Sequence, residues 1–173
     1  DCPDEPLAPQ AISPANAFVM TDVMTDVIQR GTATAARSLG RSDLAGKTGT
    51  TNDRRDAWFL GFNADIAAAA WIGFDQERSL GDNEEGSRTA LPMWIYFMEE
   101  ALRDRPEHRL PEPPGVVRMW VNRSTGQPTS VGAGGALFEA FLEGHVPDAR
   151  ASSFDGELSG EGVVSAPADE SIF

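Results

Sequence analysis

Two apolar runs, Ala57 to Phe62 and Ile66 to Phe74, are separated only by Asn63-Ala64-Asp65. Two strand-sized, aromatic-rich runs joined by so short a polar link read as an antiparallel hairpin. A hairpin is not stable alone, so it commits the chain to a larger sheet with a covered face. Just upstream, Lys47 to Thr50, preceded by Leu44-Ala45-Gly46, reads as an extended strand, which predicts three consecutive antiparallel strands. Helical periodicity supplies the cover. Ser13 is a good N-cap, Pro14 suits a first turn, and Gly31 a C-terminal stop. Between them Ala17, Met20, Val23, Met24, Val27 and Ile28 recur at spacings of three and four, predicting one buried face, with Val19 off the stripe. A second stripe, Leu91, Trp94, Ile95, Met98, Ala101 and Leu102, predicts a helix with Pro92 in its first turn, packed on the sheet and ended near Arg105-Pro106. The fold class is therefore α/β, an antiparallel sheet flanked by helices near 14–30 and 91–104.

The remaining segments set the boundaries. Residues 1–12 hold three prolines and three acids without periodicity and read as a loop, and 32–43 is a polar connection into the Lys47 strand. Arg54, Arg55 and Asp56 read as a solvated turn with a local ion pair. Residues 76–88 are charged, with Asp82, Glu84 and Glu85 close together, but they lack His, Cys or calcium-loop spacing, so no metal ligand is assigned. Composition changes at Pro111-Glu112-Pro113-Pro114-Gly115. Beyond it Val116 to Val121 is strand-like, Asn122 to Gly126 a turn, and Phe138 to Gly144 a short helix or a docked segment. From Asp148 onward six acids and one arginine accompany few large apolar residues, so 148–173 is expected to be a disordered acidic tail. The expected division is 1–110, 111–147 and 148–173.

Length and charge narrow the function. With 173 residues the chain fits one domain. A formal charge of −13 argues against a nucleic-acid partner, which would need basic patches against phosphates. No run of about 18 apolar residues is present to span a bilayer. There is no signal peptide or initiator methionine, and Asp1 looks like an interior cut. A single cysteine, Cys2, makes no internal disulfide and leaves the redox compartment open. His108 and His145 sit in polar surroundings and read as surface residues, and ligands for a hydrolytic zinc are lacking. The methionines read as core filling.

The chemistry is concentrated in Lys47-Thr48-Gly49-Thr50. On a strand, Thr48 and Thr50 share one face and Lys47 and Gly49 the other. Two hydroxyls about 7 Å apart can each donate to one oxygen of a carboxylate. The edge of such a strand also leaves backbone N–H groups for an oxyanion.

Ala45 to Asp53, with Arg55-Asp56-Ala57-Trp58-Phe59, Gly61-Phe62 and Trp71-Ile72-Gly73-Phe74-Asp75, resembles the class A, bifunctional penicillin-binding proteins. Ser13-Pro14 with Asn16-Ala17, the Arg30-Gly31-Thr32-Ala33 turn and Ala90-Leu91-Pro92-Met93-Trp94 resemble them too. The likeness runs from about Ile12 to about Pro147, the C-terminal part of a transpeptidase domain. It implies peptidoglycan D,D-transpeptidation, in which an active-site serine cleaves the amide between two D-alanines of a stem peptide. An amine of a neighbouring stem then resolves the acyl-enzyme, and β-lactams acylate the same serine. By this resemblance Lys47 supplies positive potential and joins the proton relay. Thr48 and Thr50 hold the terminal carboxylate, and the Thr50 N–H is half of the oxyanion hole. Gly49 lacks a side chain because neighbouring elements approach closely. No cofactor is implied. A glycosyltransferase domain, a membrane anchor, a site on the periplasmic side of the inner membrane and, in some relatives, an outer-membrane lipoprotein activator are implied for the longer protein.

The chain departs from the family in lacking Ser-x-x-Lys and Ser-x-Asn, so the nucleophile lies outside it and the chain alone is expected to be inactive. Other readings of the motif are a serine β-lactamase, a non-catalytic module that senses β-lactams or docks on the cell wall, and a phosphate-binding P-loop. For the last, Gly46-Lys47-Thr48 matches the end of the motif but Arg41 stands where its first glycine belongs, and its lysine would open a helix.

Overall fold

The structure, a computed structural model, describes residues 9–148. Cys2, most of the N-terminal loop and the acidic segment beyond Asp148 lie outside the described residues. Strands β1 (Ala45–Thr50), β2 (Asp56–Phe62) and β3 (Ala67–Gly73) form an antiparallel sheet in the order β1-β2-β3. The expected hairpin is the β2–β3 pair. Its turn is held by one side chain: Asn63 Oδ1 accepts from the N–H groups of Asp65 at 3.0 Å and Ile66 at 2.9 Å. An asparagine that satisfies its own turn in this way tolerates burial.

Residues directly opposite each other across an antiparallel pair share a face. Ala57 and Phe59 of β2, with Ala70 of β3, face helix α2 (Ala90–Ala101) and are buried. There Ala90, Leu91, Trp94 and Met98 join Leu102, Ile28, Ala33, Ala36 and Leu44 in one cluster. The Phe59 and Trp94 rings meet edge to face, with centroids 4.9 Å apart. Gly61 makes this contact possible, because a Cβ there would stand 2.5 Å from Trp94 Cζ2. The α2 stripe is thus buried as its spacing predicts, although the helix ends at Ala101 rather than at the proline.

Helix α1 (Pro14–Gln29) begins as predicted, with Ser13 Oγ accepting from the Asn16 N–H at 3.2 Å. Its stripe is only partly covered, which corrects the expectation of one buried face. Ile28 is buried and Met24 and Val27 are half-buried, but Ala17, Met20 and Val23 are exposed. The helix packs on β1 and on the hairpin described next, and no element among the described residues lies over the Ala17–Val23 side.

A second correction concerns the C-terminal segment. Residues 138–144 do not form a short helix; most of them belong to a strand that docks on α1. Strand β5 (Ala136–Leu142) pairs antiparallel with β4 (Val116–Asn122), with Trp120 opposite Phe138 and their ring centroids 5.1 Å apart. Short apolar runs do not distinguish strand from helix by themselves, and here cross-strand pairing decides. The hairpin is tied to α1 by two arginines. Arg118 bridges Asp22 at 3.0 Å and Glu112 at 2.7 Å, while Arg30 at the end of α1 meets both Asp26 and Glu139. Among the described residues no helix is long and apolar enough to cross a membrane.

Candidate active-site strand edge

Lys47 is the only lysine among the 14 basic residues of the chain. It lies in the middle of β1, which overturns the P-loop reading, because that motif needs its lysine at the start of a helix. Its register partner is Leu60, Thr48 pairs with Phe59, Gly49 with Trp58 and Thr50 with Ala57. Thr48 and Thr50 therefore share the α2 side of the sheet, and Lys47 and Gly49 the opposite side. The alternation expected from the sequence is present.

Among the described residues β1 pairs only with β2, so its other edge is open. The Thr51 N–H donates to the Asp56 carbonyl at 3.1 Å. Antiparallel bonding alternates along the strand, so the N–H groups of Gly49 and Lys47 point at β2 and those of Thr48 and Thr50 at the open edge. The backbone donor assigned to an oxyanion thus stands on the unpaired side.

The side chains at that edge are held in place. Lys47 Nζ is exposed and turns back along the strand, donating to the Thr48 carbonyl at 2.9 Å and lying 3.4 Å from Thr48 Oγ1. No carboxylate pairs with it among the described residues. Thr50 Oγ1 accepts from the Gly86 N–H at 3.1 Å. Accepting one bond leaves the hydroxyl proton free to donate to an anion. Thr48 Oγ1 lies 3.0 Å from Thr32 Oγ1.

Two residues here were not assigned to the site from the sequence. Gly86, within the charged 76–88 segment, lies flat on the strands, where a Cβ would meet the Trp58 carbonyl oxygen at 2.3 Å and the Gly49 carbonyl oxygen at 2.6 Å. The close approach attributed to Gly49 is mainly that of Gly86, since a Cβ on Gly49 itself would stand 3.2 Å from Trp58 Cβ. Thr32 follows α1 in a turn whose resemblance was legible but whose contact with Thr48 was not. Elsewhere, Arg55 pairs with Asp53 at 3.3 Å and Glu77 at 3.0 Å, and Glu84 accepts from the Thr89 hydroxyl at 2.8 Å. Both histidines are exposed, with His108 Nδ1 3.0 Å from Asp65 and His145 Nδ1 3.4 Å from the Glu143 carbonyl.

The strand's entry is fixed by Asp43, whose side chain has no exposed surface. Burial pushes its carboxyl pKa up. Hydrogen bonds from Arg41, the His108 N–H and Asn63, with the charge of Arg41, outweigh that and hold it below the usual value. A cavity of about 120 Å³ lies beside it, lined in part by Phe18, Phe62, His108 and Arg118 and by none of Lys47, Thr48, Gly49 or Thr50.

No family model matches the chain. It is 46% identical over 140 residues to penicillin-binding protein 1A of Pseudomonas aeruginosa, an alignment covering 81% of this chain and 17% of that protein. It is 53% identical over 110 residues to penicillin-binding protein 1A of Neisseria lactamica, covering 64% and 14%. The crystal structure of penicillin-binding protein 1A from Haemophilus influenzae superposes with a TM-score of 0.73 at 36% identity, covering 82% of this chain and 22% of that one. The chain spans about a sixth of the length of the curated relatives it matches.

Proposed function

From the premise that this chain belongs with the class A penicillin-binding proteins and has the fold of the C-terminal part of their transpeptidase domain, we propose that it forms one wall of a peptidoglycan D,D-transpeptidase site in a longer protein. The observation that carries the reading is the open edge of β1. It sets the Thr50 N–H, two threonine hydroxyls and one ammonium with no carboxylate partner among the described residues along a single strand. In this reading the stem peptide, or a β-lactam, lies along that edge. The hydroxyls of Thr48 and Thr50 donate to its acid group, and the Thr50 N–H donates to the carbonyl oxygen as it becomes an oxyanion. Lys47 adds positive potential beside the developing charge and joins the proton relay. Such groups act because they are already oriented when charge develops.

The nucleophilic serine comes from outside these residues. Its attack expels the terminal D-alanine, and an amine of a second stem takes the acyl group. The division at 110 and 147 remains our proposal for the parts, with 111–147 an extension that docks on the wall. The longer protein is placed on the periplasmic side of the inner membrane, with a glycosyltransferase activity and a lipoprotein activator as further implications of the family.

The test uses the full-length protein with Lys47→Ala. Acylation by labelled penicillin should slow by about two orders of magnitude, the scale for losing one contact to developing charge. Acylation at the wild-type rate would remove Lys47 from the mechanism. Rapid hydrolysis of the acyl-enzyme in the wild type would favour a β-lactamase, and binding without acylation a sensor module.

A further inference from the structure

The hydroxyl of Thr48 can point three ways about its χ1, and only some of them face a ligand on the open edge. Within the chain, Thr32 restricts that choice through the 3.0 Å contact between the two Oγ1 atoms, the shorter of the two side-chain contacts to that oxygen, the other being Lys47 Nζ at 3.4 Å. Thr32 is itself exposed, so burial does not hold it there. Its neighbours do. The Arg30 N–H donates to the Asp26 carbonyl at 2.9 Å, and the Ala33 N–H donates to the Val27 carbonyl at 2.9 Å. Ala33 is fully buried, and Gly31 passes so close that a Cβ would stand 2.8 Å from Val27 Cα. Thr32 is therefore carried between two anchored residues.

The outer anchor has a support 109 residues away. Arg30 Nη2 is shared between Asp26 on its own helix and Glu139 on β5. Glu139 is the only charged residue of β5, in the run Ala136-Leu137-Phe138-Glu139-Ala140-Phe141-Leu142, and its side chain is 18% exposed. An acid at a largely covered position needs a counter-charge, and Arg30 is the one that reaches it.

We propose that the C-terminal hairpin positions the acid-group clamp of β1: Glu139 holds Arg30, and the turn after Arg30 presents Thr32 as the partner that orients the Thr48 hydroxyl. Thr32, Arg30 and Glu139 are positioning residues, acting on substrate only through Thr48. The inference rests on the proposed transpeptidase reading, since Thr48 must grip an acid group for its orientation to matter.

The experiment measures the second-order rate of acylation by labelled penicillin in the full-length protein, with thermal melting as a control of fold. Thr32→Val should slow acylation about tenfold, the worth of one neutral hydrogen bond. Thr32→Ser, which restores the hydroxyl, should recover most of the rate. Glu139→Gln should slow acylation by a smaller factor and have no further effect in the Thr32→Val background, because both act on one path. If Thr48→Val is slow while Thr32→Val reacts like the wild type, the inference is wrong and the transpeptidase reading stands. If Glu139→Gln and Thr32→Val slow the reaction independently, the link through the hairpin is wrong. If Thr48→Val reacts at the wild-type rate, the reading and the inference fall together.

Discussion

The two faces of the β1–β3 sheet carry similar residues and have different fates. On one, Phe59 of β2 is fully buried beneath Trp94 of α2. On the other, Trp58, Leu60 and Trp71 are 37%, 51% and 44% exposed, and the two tryptophans lie across from each other with centroids 6.0 Å apart. A strand with one wet face alternates apolar and polar residues, whereas one covered on both sides reads as a continuous apolar run. Ala57-Trp58-Phe59-Leu60-Gly61-Phe62 is the second kind. Its composition is that of a doubly covered strand, and the relatives are about six times as long as the stretch that aligns. On that composition, this face is expected to be covered by residues other than the described ones. On α1, Ala17, Met20 and Val23 are likewise apolar and exposed.

Mutation of the two tryptophans probes the contrast most strongly. Trp94→Ala should cost about 3–5 kcal/mol of stability, the range for emptying an aromatic site in a core. Trp58→Ala should cost about 1 kcal/mol in residues 1–173, because much of its ring is already in water. In the longer protein the second value should rise toward the first. Urea denaturation of both lengths measures this, and equal costs in the short chain would mean that the faces do not differ.

Gly86→Ala tests whether the edge of β1 depends on what is pressed against it. Both atoms that a new Cβ would meet most closely are backbone carbonyl oxygens, so the segment must move off the strands and take its N–H from Thr50. Stability should fall by about 1–3 kcal/mol and acylation of the full-length protein by about tenfold. A variant that melts lower but acylates normally would separate the packing of this segment from the clamp.

The smallest expected effect concerns acid. Asp43 has its pKa held below the usual 3.8, so its contribution to stability is present above that value and is lost as pH falls through the lower, folded one. Glu139 behaves in the opposite sense. Burial and the nearby charges of Asp26 and Asp22 raise its pKa against the pull of Arg30, so its ionised form weakens the fold as pH rises through the ordinary carboxylate range. Melting temperature against pH should show both. Asp43→Asn should flatten the acid limb, and Glu139→Gln the slope above it. Identical profiles for the two variants would contradict the opposed shifts.

Much of this architecture could be read without coordinates because its signals are local. The Ser13 cap, the Asn63 turn and the α2 stripe each depend on residues a few positions apart, and each is where its spacing placed it. The α1 stripe is periodic as expected but only partly buried, since periodicity describes one side of a contact and says nothing of the other. Residues 138–144 differ from expectation for a related reason: a short, mostly apolar segment takes its conformation from the strand beside it, which lies some twenty residues away.

The site divides along the same line. The motif around Lys47 and the alternation of Thr48 and Thr50 follow from residue order, because side-chain direction on a strand has a period of two. Which edge of that strand stays open, that Gly86 lies across Thr50 and that Thr32 meets Thr48 were decided by tertiary structure. Those contacts join segments 16 and 36 residues apart, and the support from Glu139 crosses 109. No local rule encodes such distances. They are set when separate elements bury their apolar faces together and bring along whatever polar groups they carry.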